Sequence, residues 1–160
     1  MKWPILILFA IALLPSPTRE IAASPAVLEV AVFAHEKVPV DSLSLSELRS
    51  IALGDKQYWG QNLRVTVLLR SPGAHERQVA LKKVYRMDEA QFRQYWIGKV
   101  FRAEAPTGPK FVSNGQIAAE LVASIPGSIT FLDASQAPPK GAKLIRIDGK
   151  KPEERGYPLR

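Results

Sequence analysis

Segments typical of strands alternate with segments typical of helices along most of this chain. Four apolar or alternating stretches predict strands: VLEVAVF (27–33), RVTVLL (64–69), SITFLD (128–133) and AKLIRID (142–148). Helical patterns lie between them. Because a helix that connects two strands lets those strands run parallel, this alternation predicts an α/β domain. We expect three layers, with helices on both faces of a mainly parallel central sheet.

Capping residues mark where the predicted helices begin and end. Ser44 and Glu47 have the spacing of a capping box, in which each side chain bonds a backbone N–H group of the first turn. Gly54 follows this helix at a position that favours a left-handed residue. Asp88 and Asn114 are good caps for two further helices. These residues predict helices that begin near 45, 89 and 115.

Several aromatic side chains are predicted to pack in the core. Phe92, Trp96 and Val100 are spaced by four residues, which places them on one face of a helix. Trp59 has two interpretations: an exposed aromatic residue for binding, or a side chain that packs under the edge of the sheet. We favour packing, since the indole ring has a large apolar surface and one polar atom.

The first residues have the layout of a secretory signal peptide. Lys2 precedes an apolar run, and small residues follow it, so cleavage is expected after Ala23 or Ala26. The apolar run is shorter than the roughly 20 residues of a membrane-spanning helix, and prolines interrupt it. The alternative is a retained N-terminal anchor. We predict a signal peptide over 1–23, a periplasmic location and no stable membrane anchor.

The rest of the chain is predicted to form one domain with a short tail. The domain covers 27–148, which is a common size for a single domain. The last residues, GKKPEERGYPLR (149–160), are charged and contain proline, so they predict a flexible tail. The formal net charge of +7 favours anionic partners at long range, but nucleic acid is not an expected partner outside the cytoplasm.

Three stretches together resemble one protein family. SLSELRSIALGDKQYW, VYRMDEAQFRQYW and IPGSITFLD are similar, in this order, to segments of phosphate-type periplasmic substrate-binding proteins. The resemblance runs from about residue 27 to about residue 135. It implies a periplasmic-binding-protein-like domain of type 2. Family members have two lobes that enclose the ligand, whereas this chain has about half their length. The resemblance therefore implies a single lobe, which makes fewer ligand contacts and binds more weakly.

The strand-to-helix turn within RSPGAHER (70–77) is the candidate ligand site. Helix N-termini present outward N–H groups and a dipole that favours anions. In two-lobed relatives this turn often reads Gly-Ser-Gly-Thr-Arg, which aligns with residues 73–77. The glycine and the arginine match, but both hydroxyls are missing and Glu76 replaces a donor. The resemblance implies weak binding of an oxyanion such as phosphate at Ser71, Gly73, His75 and Arg77.

An alternative explanation of the same turn needs no ligand. Ser71 is then the helix cap and Pro72 the first helical residue, where proline is favourable. His35, after the first strand, has a similar pair of interpretations. It lines a cleft at the carboxyl ends of the strands, or it is a solvated loop residue, which we favour.

Catalytic and metal-binding patterns are missing from the sequence. No Gly-x-Ser-x-Gly turn, Walker loop, dinucleotide fingerprint or His-Glu-x-x-His motif occurs. With no cysteine and two histidines, a zinc site would need carboxylates and is not expected. We therefore predict no enzyme activity, no metal and no cofactor.

Two functions remain as hypotheses. The first is a substrate-binding protein of phosphate-type uptake that binds a small oxyanion weakly, or that has kept the fold and lost the ligand. The second is a periplasmic interaction module. In that case the face of the lone lobe contacts a membrane transporter, a sensor protein or a second copy of the chain.

Overall fold

A computed structural model describes residues 29–160. The predicted signal peptide and the first residues of the predicted domain lie outside the described residues. The strands are β1 (Val30–His35), β2 (Ser42–Leu43), β3 (Tyr58–Trp59), β4 (Leu63–Arg64), β5 (Thr66–Arg70), β6 (Lys110–Val112), β7 (Ser128–Asp133) and β8 (Ala142–Ile147). The helices are α1 (Leu45–Ala52), α2 (His75–Val79), α3 (Glu89–Phe101) and α4 (Gly115–Ser124). A π-helical segment, Ala80–Tyr85, continues α2 without a break.

A mixed, mostly parallel sheet forms the centre of the fold. Within residues 29–160 it has six strands in the order β2-β8-β1-β7-β5-β6, and β3 and β4 form a separate hairpin. β5 runs parallel to both β6 and β7, and β2 runs parallel to β8. β1 is the exception, since it is antiparallel to β7 on one side and β8 on the other. The prediction of a mainly parallel sheet is confirmed.

Helices cover both faces of the sheet. β1 is buried on both sides, and Val32 belongs to the core cluster on one face while Phe33 belongs to the cluster on the other. The first cluster contains side chains of α1, the π-helical segment and α3. The second contains Ala118 and Val122 of α4. Because successive side chains of a strand point to opposite faces, β1 contributes to both clusters. The predicted three-layer arrangement is confirmed.

The predicted helix ends are confirmed. The Ser44 hydroxyl accepts a hydrogen bond from the Glu47 amide at 3.1 Å, and the Glu47 carboxylate accepts one from the Ser44 amide at 2.8 Å. Gly54 has a φ of +73°, as a left-handed residue after α1 should. Asp88 forms a second capping box at the start of α3, and Asn114 caps α4.

Packing of α3 differs in part from the prediction. Phe92 is buried, but Val100 is exposed, and Lys99 takes the buried place. Seven residues after Phe92 make almost two full helical turns, so Lys99 points closer to the Phe92 side than Val100 does. The Lys99 ammonium donates to the carboxylate of Asp55 and to the hydroxyl of Tyr95.

Two other predictions about single residues have opposite outcomes. Trp59 packs in the core and its indole N–H donates to the Gly127 carbonyl at 2.9 Å, as the packing interpretation requires. The favoured interpretation of His35 as a solvated loop residue is wrong. His35 is the last residue of β1 and is buried, because the strand begins at Val30 and extends beyond the predicted end. Its Nδ1 accepts a hydrogen bond from the Lys37 amide at 3.0 Å.

The prediction of a flexible tail over 149–160 is wrong for its last residues. Tyr157 and Leu159 are buried in the main core cluster. The Tyr157 hydroxyl donates to the Val30 carbonyl at 3.0 Å, and the Val30 amide donates to the Leu159 carbonyl at 3.3 Å. The prediction relied on charge and proline, whereas two apolar side chains hold the segment against β1.

Candidate functional site

The candidate site lies at the carboxyl end of β5, where the chain turns into α2. The amide and the hydroxyl of Ser71 both donate to the Val112 carbonyl, at 3.0 and 3.2 Å, which ties the turn to the end of β6. α2 begins at His75, and its N-cap residue is Ala74. Ser71 therefore does not cap the helix, and Pro72 lies before it. The cap interpretation is wrong because the Ser71 hydroxyl is used by the neighbouring strand.

The backbone of this turn is open on one side. Gly73 has a φ of +92°, and a Cβ atom added there would meet nothing within 4 Å. No side chain caps the first turn of α2. His75 is exposed at the first helical position. An uncapped helix start beside an exposed glycine leaves room for an acceptor at the N–H groups.

Arg77 is placed differently from the other predicted site residues. Its side chain is only 2% exposed, and its guanidinium donates to both carboxylate oxygens of Glu89, at 2.6 and 2.8 Å. A third bond runs from Nη1 to the Arg70 carbonyl at 3.0 Å. These hydrogen bonds lower the pKa of Glu89 below its ordinary value. All three nitrogens of Arg77 are thus engaged within the protein.

Arg70 is a cation of the site that was missed in the sequence. It is the last residue of β5, and its Nη1 lies 3.5 Å from the Glu76 carboxylate. The same atom lies 3.0 Å from where a Cβ on Gly115, the first residue of α4, would be. Its buried Nε has no hydrogen-bond partner within residues 29–160. In the sequence, Arg70 stands out as a single charged residue at the carboxyl end of a central strand. Ligands of α/β sheets bind at that end of the strands.

The structure therefore brings part of the predicted site together. Ser71, Gly73 and His75 lie on one turn, with the ion pair of Arg70 and Glu76 beside them. Arg77 lies behind that turn and holds it through the Arg70 carbonyl. The arrangement has the components of an anion site, namely the Arg70 guanidinium and a helix start. The Glu76 carboxylate, however, already pairs with that guanidinium.

The part of the chain described here contains no group of three or more His, Cys, Asp or Glu side chains that could hold a metal ion. Among the helices between residues 29 and 160, none combines the length and the apolar character needed to cross a membrane.

Comparison of sequences finds no relative. No protein-family model matches the chain, and no curated protein sequence matches it significantly.

Comparison of structures gives clear matches. The first is an ABC-type phosphate transport receptor from Vibrio cholerae, with a TM-score of 0.65 and 18% identity over 82% of this chain and 52% of the receptor. PstS from Borrelia burgdorferi matches with a TM-score of 0.64 and 15% identity, covering 82% of this chain and 53% of that protein. A phosphate ABC transporter substrate-binding protein from Clostridium perfringens, solved with bound phosphate, matches with a TM-score of 0.60 and 16% identity, covering 78% and 46%.

These matches show the fold. The chain has the α/β fold of PstS-like periplasmic binding proteins, as the resemblance implied, although the sequence identity is low. It spans only about half the length of the structures that it matches.

Proposed function

We propose that this chain is an exported, non-enzymatic protein that binds a small oxyanion such as phosphate weakly at the turn after β5. The observation that carries this proposal is the position of Arg70, whose guanidinium lies beside an uncapped helix start and near the first residue of α4. A guanidinium and backbone N–H groups are the donors that recognise phosphate in proteins. The fold of phosphate receptors and the predicted signal peptide support an uptake role in the periplasm.

Each predicted site residue has a role in this proposal. Gly73 lets the anion approach the backbone, since its exposed side carries no Cβ atom. His75 adds a donor at the first turn of α2, and Ser71 fixes the turn against β6. Arg77 positions the turn through the Arg70 carbonyl and does not contact the ligand. Arg70 is the residue that binds the anion directly.

Weak binding follows from two features. The Glu76 carboxylate lies 3.5 Å from Arg70, so an incoming anion must displace it or bind against its repulsion. Within the described residues the proposed site also offers only one guanidinium and one helix start, so few donors contact the ligand. Fewer contacts leave less free energy to offset the cost of association.

Calorimetry with phosphate and with sulfate tests this proposal. We expect a dissociation constant in the millimolar range for the unaltered chain and loss of binding in Arg70→Gln. Lys140→Gln, which removes the same charge from an exposed loop residue, should bind as the unaltered chain does. No heat and no thermal shift at millimolar anion in the unaltered chain would reject the proposal.

A second candidate function is protein–protein interaction through the same end of the lobe. Phe111, in the edge strand β6, is 59% exposed although its ring lies 4.9 Å from the Arg77 guanidinium beside the turn. A partner that covered this ring would remove its apolar surface from water, which favours association. The partner would be a membrane transporter, a sensor protein or a second copy of the chain.

In-cell crosslinking from a photoreactive residue at Ser113, an exposed position two residues after Phe111, distinguishes the two functions. A specific crosslinked partner that is lost in Phe111→Ser would favour interaction. A chain that is monomeric and gives no crosslink from this position would contradict it. Phosphate binding does not depend on this result.

A further inference from the structure

A cavity that is separate from the candidate site lies at the opposite end of β5 from the Ser71 turn. It has a volume of about 410 Å³ and is bounded by the amino ends of β5 and β6, by α1 and α3, and by the loop that leads into β6. Sites for small molecules commonly have volumes of roughly 300 to 1,000 Å³. From Thr66 to Arg70, the two ends of β5, the distance is about 13 Å at the rise of an extended strand. The two sites are therefore separate.

An immobilised tryptophan forms one wall of this cavity. A Cβ atom on Gly54 would lie 2.9 Å from Cη2 of Trp96, and one on Gly108 would lie 3.3 Å from Cδ2. Only residues without a side chain can approach the ring this closely, so backbone packs against the indole at two places. Val67 and Pro109 add further apolar surface. The wall is thus apolar and preformed, as is typical of a binding site for an apolar group.

The charged residues that line this cavity are all cations. Lys56, Arg64 and Lys110 contribute to its lining, and no aspartate or glutamate does. None of the three forms an ion pair in the part of the chain from residue 29 to 160. This differs from Arg70 and Arg77, whose guanidinium groups each face a carboxylate. An apolar cavity with unpaired cations at its rim concentrates anions that carry an apolar part.

We propose that this cavity binds a small amphipathic organic anion, a carboxylate attached to a hydrocarbon chain or ring. The apolar part packs against Trp96 and Val67, and the carboxylate lies among Lys56, Arg64 and Lys110 at the rim. Inorganic phosphate has no apolar part and would gain nothing from the tryptophan wall. The proposal does not rest on oxyanion binding at the Ser71 turn.

Titration of the full chain with octanoate, followed by backbone amide shifts in NMR, tests the proposal. We expect saturable shifts at the amides of Ala105, Thr107, Gly108 and Lys110, and none of comparable size at residues 71–77. Octan-1-ol has the same chain without the charge, so its affinity should be about tenfold lower. Phosphate should leave the amides of those cavity residues unchanged.

Matched variants test the role of the cations. The double variant Arg64→Gln/Lys110→Gln should bind octanoate about tenfold more weakly than the unaltered chain. Lys37→Gln/Lys140→Gln removes the same charge from exposed positions that do not line the cavity, and should bind normally.

Three results would overturn the proposal. They are equal affinity for octanoate and octan-1-ol, equal weakening in both double variants, and absence of saturable shifts at the amides of those cavity residues. The comparison of the two ligands uses the unaltered chain and so does not depend on how the variants fold. Phosphate-dependent shifts at residues 71–77 are a separate readout for the proposed oxyanion site.

Discussion

The carboxylate of Glu89 accepts hydrogen bonds from both Nε and Nη2 of Arg77, at 2.6 and 2.8 Å. The buried guanidinium also lies over the rings of Phe92 and Phe111, whose centroids are 5.0 and 4.9 Å away. This ion pair joins α2, the start of α3 and the edge strand β6. A bidentate pair of this kind is among the stronger charge-assisted contacts in proteins, so it should fix the helix that begins at the candidate site.

Replacing Glu89 should therefore destabilise the fold. In Glu89→Gln the Arg77 charge stays buried without its carboxylate, and we expect the free energy of unfolding to fall by roughly 2 kcal/mol. Fully buried pairs lose about 3 to 5 kcal/mol, but the Glu89 side chain is 37% exposed, so water replaces part of the contact. Urea unfolding measures the change. The control is Glu104→Gln, which breaks an exposed pair with Arg102 and should leave stability nearly unchanged.

The same pair predicts an acid-sensitive stability. The Arg77 hydrogen bonds hold the pKa of Glu89 below its ordinary value of 4.5. A carboxylate whose pKa is lower in the folded state binds its proton more readily in the unfolded state. The stabilisation is thus complete above about pH 4.5 and is lost as the pH falls through the folded-state pKa. Unfolding measured from pH 7 to pH 3 should show a smaller acid loss in Glu89→Gln than in the unaltered chain.

Local signals in the sequence were sufficient for most of the fold. The spacing of Ser44 and Glu47, and the side chains of Asp88 and Asn114, predicted three helix starts, since capping depends on a few adjacent residues. The antiparallel orientation of β1 relative to β7 and β8 was not predictable from such local signals. Its neighbours β7 and β8 lie about a hundred residues away in sequence, and their direction is set by the connections of the whole chain.

The main error at the candidate site concerned which arginine pairs with which carboxylate. Arg77 and Arg70 lie seven residues apart, and the sequence does not show which of them faces a distant carboxylate. Arg77 is joined to Glu89 in the next helix and is buried, whereas Arg70 is joined to Glu76 at the edge of the turn. The resemblance implied that Arg77 binds the ligand, whereas the contacts of Arg77 give it a structural role. Side-chain pairing across elements decides this question, and only the packed structure shows it.

The buried end of the chain should contribute to stability. Leu159 is completely buried in the main core cluster, so we expect Leu159→Ala to lower the free energy of unfolding by about 3 kcal/mol. Arg155→Ala, at an exposed position of the same segment, should have little effect. Thermal and urea unfolding measure both. If Leu159→Ala is as stable as the unaltered chain, the terminal residues do not pack as described.

Gly127 should tolerate no side chain. It precedes β7 with a φ of +79°, and a Cβ atom there would lie 2.2 Å from the Arg64 carbonyl oxygen. We expect Gly127→Ala to cost roughly 3 kcal/mol from backbone strain and overlap together. The control is Gly149→Ala, where φ is +75° but no atom lies within 4 Å of the added Cβ. That variant should lose about 1 kcal/mol from strain alone. Equal losses in urea unfolding would show that the close approach to Arg64 is not important.

Removing the carboxylate beside Arg70 should strengthen anion binding. In Glu76→Gln the guanidinium loses the internal partner that lies 3.5 Å away, so an external phosphate no longer has to displace it. We expect the dissociation constant for phosphate, measured by calorimetry, to fall about tenfold. Glu120→Gln, which removes the same charge from an exposed position on α4, should leave it unchanged.

The Glu76→Gln variant also separates the two alternatives of the first hypothesis, weak binding and a fold that has lost its ligand. If the unaltered chain binds phosphate weakly and Glu76→Gln binds it more tightly, Glu76 tunes a working site. If the unaltered chain gives no heat and Glu76→Gln does bind, the donors persist and the carboxylate has replaced the ligand, so the fold was kept while binding was lost. If neither binds, Arg70 and the open turn at Gly73 do not form an anion site, and the exposed Phe111 surface becomes the leading candidate for function.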